Sequence, residues 1–288
     1  MIWLVLSIIC SVSVGILLKV ARGRDGSAFF QMIGWNYLFA ALLCFAVYRP
    51  GPETALRTGA DIPYWLLLPL AALLPAVFLA QANSVKYTGI VRTDIAQRLS
   101  LIVSLSAAWL VFRENFSTLR STGLAIGLIS IFLILSKGKT SDGPTKRWYL
   151  PAAVLAGFGV IDVLFKKVAL FTAFQYTSAL FLIFCGAFVL SAIIILVLIV
   201  LRKQRLNLQN IWWGAALGAL NFGNILFYLK AHKTLTNNPS TVFAGMNFGV
   251  MILGALVGIV FFREKLSRVN YLGLALALAA VAALVLSL

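Results

Sequence analysis

The chain has 288 residues, of which 61% are hydrophobic and only 11% are charged, and its formal net charge is +16. So much apolar surface exceeds what a soluble domain of this length buries in one core, which excludes an ordinary water-soluble enzyme or binding domain and favours a bilayer. The basic residues stand mostly at the ends of apolar stretches and in short connections. The charge therefore indicates membrane lipid as a partner and no binding of nucleic acid.

Ten apolar stretches follow in chain order, each long enough to cross a hydrocarbon core of about 30 Å as an α-helix. The first has no basic segment before it, so we interpret it as a membrane span and not as a cleaved signal peptide. The predicted spans are residues 2–20, 28–48, 64–84, 89–112, 119–136, 149–168, 174–201, 211–231, 239–262 and 269–287.

One phrase is written twice along this series, as FRENFSTLRSTGLA over residues 112–125 and as FREKLSRVNYLGLA over residues 262–275. Seven of the 14 positions are identical at a constant offset of 150, which indicates an internal duplication. A weaker match, at an offset of about 147, joins GILLKVA over 15–21 to DVLFKKVA over 162–169. Each half of the chain therefore contains five of the ten spans.

The duplication sets the predicted domain organisation. Residues 1–136 form a first five-helix repeat, the polar stretch 137–148 is the linker, and residues 149–288 form the second repeat. Because five is odd, the second repeat enters the membrane in the opposite sense. The predicted fold is an all-α membrane protein with ten transmembrane helices in two inverted five-helix repeats, an organisation typical of secondary transporters.

The ten spans, and the Phe-Arg-Glu-x-x-Ser turn with its following Gly-containing helix at the end of each half, resemble the EamA-type branch of the drug/metabolite transporter superfamily. The resemblance extends over essentially the whole chain. It implies a ten-helix basket with a central cavity lined by helices 1, 3, 4, 6, 8 and 9, and with the last helix of each half at the periphery. It does not supply a substrate, since the superfamily transports amino acids, sugars, nucleotide sugars, cations and drugs.

Helix 4 carries the first group of polar residues inside a span, where charges are costly and often mark a transport pathway. Asp94 and Arg98 are four residues apart, within reach of an ion pair, and Gln97 adjoins them. Arg98 lies near the middle of the span, so we predict that it contacts the substrate. The alternative is a purely structural pair with Asp94.

Helix 6 repeats this spacing with Asp162 and Lys166, and Lys19 of helix 1 matches the lysines of helix 6 in the second, weaker repeat. We predict Lys19 and Lys166 as substrate contacts, and Asp94 and Asp162 as coupling or ion-pair residues. The pair in helix 6 is either structural or a switch in which a protonated carboxylate releases its lysine.

Helices 8 and 9 add uncharged polar groups. Asn224 and Tyr228 share one face of helix 8, and Asn247 of helix 9 corresponds to Gln97 at the offset of 150. Either these side chains bind polar groups of a substrate, with Gln97 and Asn247 facing each other across the cavity, or they bridge helices by hydrogen bonds. His232, at the end of helix 8, is interpreted as an interfacial residue.

The N-termini of two helices also favour a polar or anionic ligand. Asn238 and Pro239 form a strong helix start that corresponds to Gly89, and two helix N-termini directed at a cavity would attract an anion. Glu114 and Glu264, in the repeated phrase, are interpreted as caps and surface ion pairs.

The basic residues of the connections are divided unequally between the two sides of the predicted bundle. Connections 20–27, 137–148, 201–210 and 262–269, which share one side, hold most of them. The positive-inside rule therefore places the termini outside the cytoplasm. The family resemblance implies the reverse, so both orientations stay open.

The expected function is secondary active transport of a small polar metabolite, anionic or zwitterionic because basic groups exceed acidic ones in the spans. Alternating access without ATP is expected, since the chain has no phosphate-binding loop. The alternative is an exporter of hydrophobic or cationic drug-like compounds. The expected location is a plasma or bacterial inner membrane, and because the duplication supplies both halves, a monomer suffices.

An intramembrane enzyme is the more distant alternative. Such an enzyme needs a nucleophile with its base, or a metal cluster, within the bilayer. The chain has one histidine, and Cys10, Cys44 and Cys185 stand alone without metal or redox spacing. No catalytic residue, metal or cofactor is therefore predicted.

Overall fold

A computed structural model describes residues 1–20, 26–49, 62–135, 147–201, 205–263 and 266–288, apart from the side chains of residues 26–28, 90 and 91. The described residues form ten α-helices and no strand. In chain order the helices are α1 Ile2–Val20, α2 Gly26–Tyr48, α3 Tyr64–Thr88, α4 Ile90–Leu110, α5 Thr118–Leu135, α6 Tyr149–Leu170, α7 Tyr176–Val200, α8 Gln209–Thr234, α9 Pro239–Phe262 and α10 Arg268–Leu286. Most of the predicted linker and Glu264 lie outside the described residues.

The helices follow the predicted spans closely, but they are not equally apolar. Within the described residues, seven are long and apolar enough to cross a membrane, which supports an integral, multi-pass membrane protein. The remaining three are α4, α6 and α8. These three carry most of the charged and amide side chains singled out from the sequence. They are less apolar because they place polar groups inside the bundle.

Contacts between helix ends define two faces of the bundle. Face I contains Glu114 after α4, Lys166 near the end of α6 and the connection between α8 and α9, which hydrogen bonds and charge bring together. Face II contains the end of α1, where Lys19 lies over the ring of Phe262 at the end of α9. Helices α4, α6 and α8 therefore end at face I, and α1 and α9 end at face II.

The two helices that follow the repeated phrase pack along each other. A β-carbon at Gly123 of α5 would lie 2.9 Å from that of Ala283, and one at Gly273 of α10 would lie 2.8 Å from the backbone nitrogen of Ile134. The absence of side chains at these two positions allows the close approach. Neither helix contributes to the central cavity described below, as the resemblance implied.

The other helices surround that cavity. Helix α1 packs against α8 and α9, α6 packs against α3 and α4, and α2 packs against α7 and α8. Small residues permit the first two contacts: a β-carbon at Gly249 of α9 would lie 2.4 Å from Ile8, and one at Gly157 of α6 would lie 2.4 Å from Val77. Close packing outside the cavity leaves the polar faces of α4, α6 and α8 directed inward.

Candidate functional site

A cavity of about 150 Å³ lies in the middle of the bundle. Residues from α1, α3, α4, α6, α8 and α9 line it, the six helices that the resemblance implied. Much of its wall is apolar and includes the aromatic rings of Phe78, Phe158 and Phe165. At about 150 Å³ the cavity is smaller than the roughly 300–1,000 Å³ of typical ligand pockets, but a mostly apolar wall with a few polar groups is the lining expected of a site for a small molecule.

Six of the predicted site residues line this cavity. They are Gln97, Arg98, Asp162, Asn224, Tyr228 and Asn247. The other three, Lys19, Asp94 and Lys166, do not line it. Asn221 also lines the cavity. Ser11, Ser100 and the aromatic lining residues were not predicted, because isolated serines and phenylalanines are common in any membrane helix.

Among the described residues that line the cavity, Arg98 is the one with a cationic side chain. Its Nε lies 3.8 Å from Oδ1 of Asp94, which confirms the predicted proximity of the two groups. At that distance the contact is an ion pair and not a hydrogen bond, and this buried Nε has no hydrogen-bond acceptor among the described residues. The Nε–H of Arg98, a partly exposed side chain of the cavity wall, is thus a buried donor without an acceptor among the described residues.

The two corresponding amides, Gln97 and Asn247, both line the cavity. The side-chain oxygen of Gln97 accepts a hydrogen bond of 2.8 Å from Nε2 of Gln81. Nδ2 of Asn247 donates to the carbonyl of Phe243 on the preceding turn of α9. Each amide is therefore oriented by a neighbour while remaining part of the cavity wall.

Asp162 does not pair with Lys166, although the spacing allows it. Its Oδ1 accepts a hydrogen bond of 3.0 Å from the hydroxyl of Tyr228, and its Oδ2 accepts one of 3.0 Å from the hydroxyl of Ser104. The carboxyl group thus enters the cavity wall held by two neutral donors. This arrangement joins α6 to both α4 and α8.

Helix α8 contributes two asparagines. Asn224 accepts hydrogen bonds from the buried hydroxyl of Ser7 on α1, through both its side-chain and its backbone oxygen. Asn221 lies one turn earlier and is buried, and its Nδ2 donates to no acceptor among the described residues. Since a buried donor without a partner is costly, Asn221 adds a second free donor to that of Arg98.

Lys166 is fully buried, but it is directed toward face I and away from the cavity. Its ammonium donates to the carbonyl of Thr236 at 2.8 Å and to that of His232 at 3.4 Å. It also lies 5.9 Å from the ring centroid of Phe112. Lys19 lies at the opposite end, exposed at face II. Neither lysine lies at the cavity in this structure, because both side chains extend to helix ends.

The N-terminus of α9 is already occupied by a carboxylate. Glu114 is buried, and its Oε2 accepts a hydrogen bond of 2.8 Å from the backbone N–H of Ser240 while its Oε1 accepts one of 2.7 Å from the Ser240 hydroxyl. The same Oε1 pairs with Arg120 at 2.8 Å. The expectation that this helix start faces a substrate is wrong, because Glu114 caps it at face I, and the capping role predicted for Glu114 is confirmed in a buried setting.

His232 is not interfacial, as the sequence suggested, but fully buried. Its ring lies between those of Tyr228 and Phe243, with centroid distances of 4.6 and 4.8 Å. Neither ring nitrogen has a hydrogen-bond partner among the described residues. A position near a helix end suggested exposure, but the start of α9 folds over it and excludes solvent.

Comparison with known proteins agrees with this architecture. A sequence model of the EamA-like transporter family matches residues 1–136. An uncharacterized protein of Haemophilus influenzae is 36% identical over 283 residues, covering 96% of this chain and 95% of the relative. A solved crystal structure of a protein is similar in fold, with a TM-score of 0.66, 14% identity, and coverage of 97% of this chain and 98% of that one.

Proposed function

Because the chain belongs to the EamA-like transporter family, within the drug/metabolite transporter superfamily, we propose that it is a secondary active transporter of a small anionic or zwitterionic metabolite. The substrate binds in the central cavity and is released by alternating access between face I and face II. Arg98 is the main substrate contact, supported by the amides of Gln97, Asn221, Asn224 and Asn247. Membrane lipid surrounds the bundle, and one chain suffices for transport.

Two inverted repeats are part of this proposal, and the helix contacts support them. If each helix of the first half is exchanged for the helix five places later, the main contacts map onto one another. The pairs α5–α10, α2–α7 and α4–α9 map onto themselves, whereas α1–α8 exchanges with α3–α6, and α2–α8 with α3–α7. A twofold relation between the halves accounts for this pattern, and the match of the family model ends at residue 136, where the first repeat is proposed to end.

The repeated phrase supports the same relation at the level of the backbone. Arg113 and Arg263, which correspond at the offset of 150, have φ angles of 54° and 52°. Left-handed backbone is uncommon for residues other than glycine, and although Arg49 adopts it without a counterpart, its occurrence at both copies of the repeated phrase supports a relation between them. Inverted repeats of this kind let one chain form two equivalent arrangements, each open to one side.

The charge of the substrate follows from the free donors. Arg98 Nε and Asn221 Nδ2 are buried beside the cavity and lack acceptors among the described residues. A carboxylate or similar anion would supply acceptors to both, with a charge-assisted hydrogen bond to the guanidinium. In a zwitterionic substrate, Asp162 would accept hydrogen bonds from the ammonium. The unoccupied donor of Arg98 is the observation that carries this assignment.

Export of hydrophobic cations is a second candidate. Asp162 lines the cavity without an ion-pair partner among the described residues, and the rings of Phe78, Phe158 and Phe165 surround the same space. Aromatic faces and a carboxylate together favour an organic cation. In that case Arg98 would be a structural partner of Asp94 only.

Thermal stabilisation of the detergent-purified protein by a panel of metabolites distinguishes the two. A ligand that binds the folded state alone raises the free energy of unfolding by about 2.7 kcal/mol at a hundredfold excess over Kd. We expect organic anions or amino acids to stabilise the parent and not an Arg98→Met variant. Lys167→Met, which removes a lysine outside the cavity lining, is the matched control and keeps the response.

The opposite result is equally clear. If hydrophobic cations stabilise the parent and Arg98→Met alike, and an Asp162→Asn variant loses that response, the exporter of cationic compounds is the better assignment. If no small molecule stabilises any of these variants, the cavity is not a binding site and the proposal fails.

A further inference from the structure

Two lysines occupy related positions at opposite faces of the bundle. Lys19 corresponds to Lys166 or Lys167 in the weaker repeat, GILLKVA and DVLFKKVA, and Phe112 and Phe262 correspond in the repeated phrase. The structure brings the corresponding pairs together: Nζ of Lys166 lies 5.9 Å from the ring centroid of Phe112, and Nζ of Lys19 lies 3.7 Å from that of Phe262. The same lysine-to-aromatic contact is thus made once at each face.

The surroundings of the two lysines differ. Lys166 is fully buried, with its ammonium bonded to the carbonyls of Thr236 and His232 at the connection between α8 and α9. Lys19 is exposed. A buried ammonium is stable only where hydrogen bonds replace its hydration, so Lys166 fastens the end of α6 to this connection, whereas Lys19 makes its aromatic contact in an open setting.

The two ends of α9 also differ in burial. At face I the first seven residues of α9, from Pro239 to Gly245, are buried, as are Phe165 and His232. At face II the other end of α9 exposes Val260 and Phe261, at 68% and 76% of their surface. The continuous burial of the start of α9 describes a bundle that is closed at face I, whereas exposed apolar side chains such as Val260 and Phe261 are those that a membrane span presents to lipid.

We propose that Lys166 and Lys19 are two alternating latches: Lys166, bonded to the carbonyls of Thr236 and His232, holds face I closed in this structure, and Lys19, which here lies exposed over Phe262, closes face II in the opposite state. The inference rests on the proposed inverted repeats and alternating access. It assigns the two lysines to the gates and not to the substrate. When face I opens, the hydrogen bonds of Lys166 break, and Lys19 becomes buried against the carbonyls at the end of α3, which corresponds to the end of α8.

Access of a thiol reagent to the cavity tests the latches without any knowledge of the substrate. Ser11 lines the cavity, so Ser11→Cys, in a chain whose three native cysteines are replaced by alanine, reports on access. A membrane-impermeant thiol reagent is added to vesicles of both orientations, so that it approaches from one face at a time. In the parent we expect faster labelling from face II than from face I.

Lys166→Met should raise labelling from face I about tenfold or more, because each hydrogen bond to a charged group contributes about that factor to the closed state. Lys167→Met is the matched control, since the neighbouring lysine is directed toward Trp65 instead, and it should leave labelling unchanged. Lys19→Met removes the latch of the opposite state, so labelling from face I should fall below that of the parent. In the double variant, Lys19→Met with Lys166→Met, the rate of labelling from face I should return toward that of the parent.

Two results would overturn the proposal. One is labelling of Lys166→Met from face I at the rate of the Lys167→Met control, in a protein whose thermal unfolding shows that it is folded. The other is no decrease with Lys19→Met. Because labelling needs no ligand, these results are independent of the thermal shifts by metabolites: loss of the shifts with intact labelling changes would refute the substrate assignment and leave the latches standing.

Discussion

The two halves of the chain contribute equivalent positions to the cavity but different chemistry. At the offset of 150, Leu74 corresponds to Asn224, Phe78 to Tyr228, Gln97 to Asn247 and Ser100 to Val250, and all eight residues line the cavity. In three of these four pairs one member is apolar and the other carries a hydroxyl or amide. On the proposed duplication, corresponding positions of the two halves form the wall of the cavity, and the differences between their side chains determine which ligand the wall favours.

On the proposed transport function, this difference favours a ligand that is itself asymmetric. Asn224 and Tyr228 place polar groups on α8, while Leu74 and Phe78 place apolar ones on α3. Arg98 increases the contrast, because its counterpart at the offset of 150 is Phe248, a fully buried residue outside the cavity lining. A metabolite with one charged end and one apolar end fits such a wall, and exchanging the members of a pair tests this reading.

The largest effect is expected at the closure of face I. Glu114→Ala leaves Arg120 buried without its carboxylate and removes the cap of α9. Breaking a buried pair by removing one partner costs about 3–5 kcal/mol, so we expect a corresponding decrease in the free energy of unfolding in detergent. Glu114→Gln, which keeps an acceptor for Ser240, should lose less, and equal losses for the two variants would show that the charge is unimportant.

Tyr228→Phe makes α8 resemble α3 at one cavity position. It removes the hydroxyl that donates to Asp162 at 3.0 Å, and hydrogen bonds to charged groups are worth about 1.5–3 kcal/mol. We expect the affinity for the stabilising metabolite, measured by thermal shift, to fall by about tenfold or more. The reciprocal variant, Phe78→Tyr, restores no partner to Asp162, so recovery of affinity in the double variant would contradict this account.

In the second copy of the repeated phrase, Asn270 stands at the position of Arg120, and we expect its contacts to contribute less to the free energy of unfolding. Where Arg120 bonds to Ser287 at the end of α10, Asn270 bonds to Leu133 and Ile134 at the end of α5 and forms a capping box with Ser267. Since a lost helix cap costs about 0.5–2 kcal/mol, Asn270→Ala should lower the free energy of unfolding by less than Glu114→Ala does. A larger loss for Asn270→Ala would reverse the order of the two closures.

The smallest effect is expected for Ser100→Val, which exchanges a cavity residue for the type found at its counterpart, Val250. The Ser100 hydroxyl already donates to the carbonyl of Gln97 at 2.6 Å, within its own helix. Such local bonds compete weakly with the helix, so we expect metabolite affinity to change by less than about threefold, well under 1.4 kcal/mol. A change as large as that of Tyr228→Phe would show that Ser100 contacts the ligand directly.

The sequence predicted the helices to within a few residues, because apolar runs of the required length end at charged residues, glycine or proline. Of the nine site residues predicted from the sequence, six line the cavity, since polar side chains in the middle of a span have few other places to go. The partner of Asp162 was missed. A spacing of four residues allows an ion pair with Lys166, but the long lysine side chain reaches backbone carbonyls from a distant part of the chain, and no local pattern reveals them.

Burial near the helix ends was also beyond the sequence. His232 and Glu114 stand beside polar connections, which suggests exposure, yet both are buried under the start of α9. Under the proposed alternating access, the helix end that is covered depends on which face of the bundle is closed. That is a property of the conformation, and a pattern of residues along one helix does not determine it.

Exchange of a labelled metabolite across the membrane of proteoliposomes tests the central claim most directly. The metabolite is the one that stabilises the purified protein, and the parent is compared with Arg98→Met and with the Lys167→Met control. We expect exchange by the parent and by Lys167→Met, and none by Arg98→Met. Exchange by Arg98→Met at the rate of the parent would contradict it, since the free donor in the cavity would then have no part in transport.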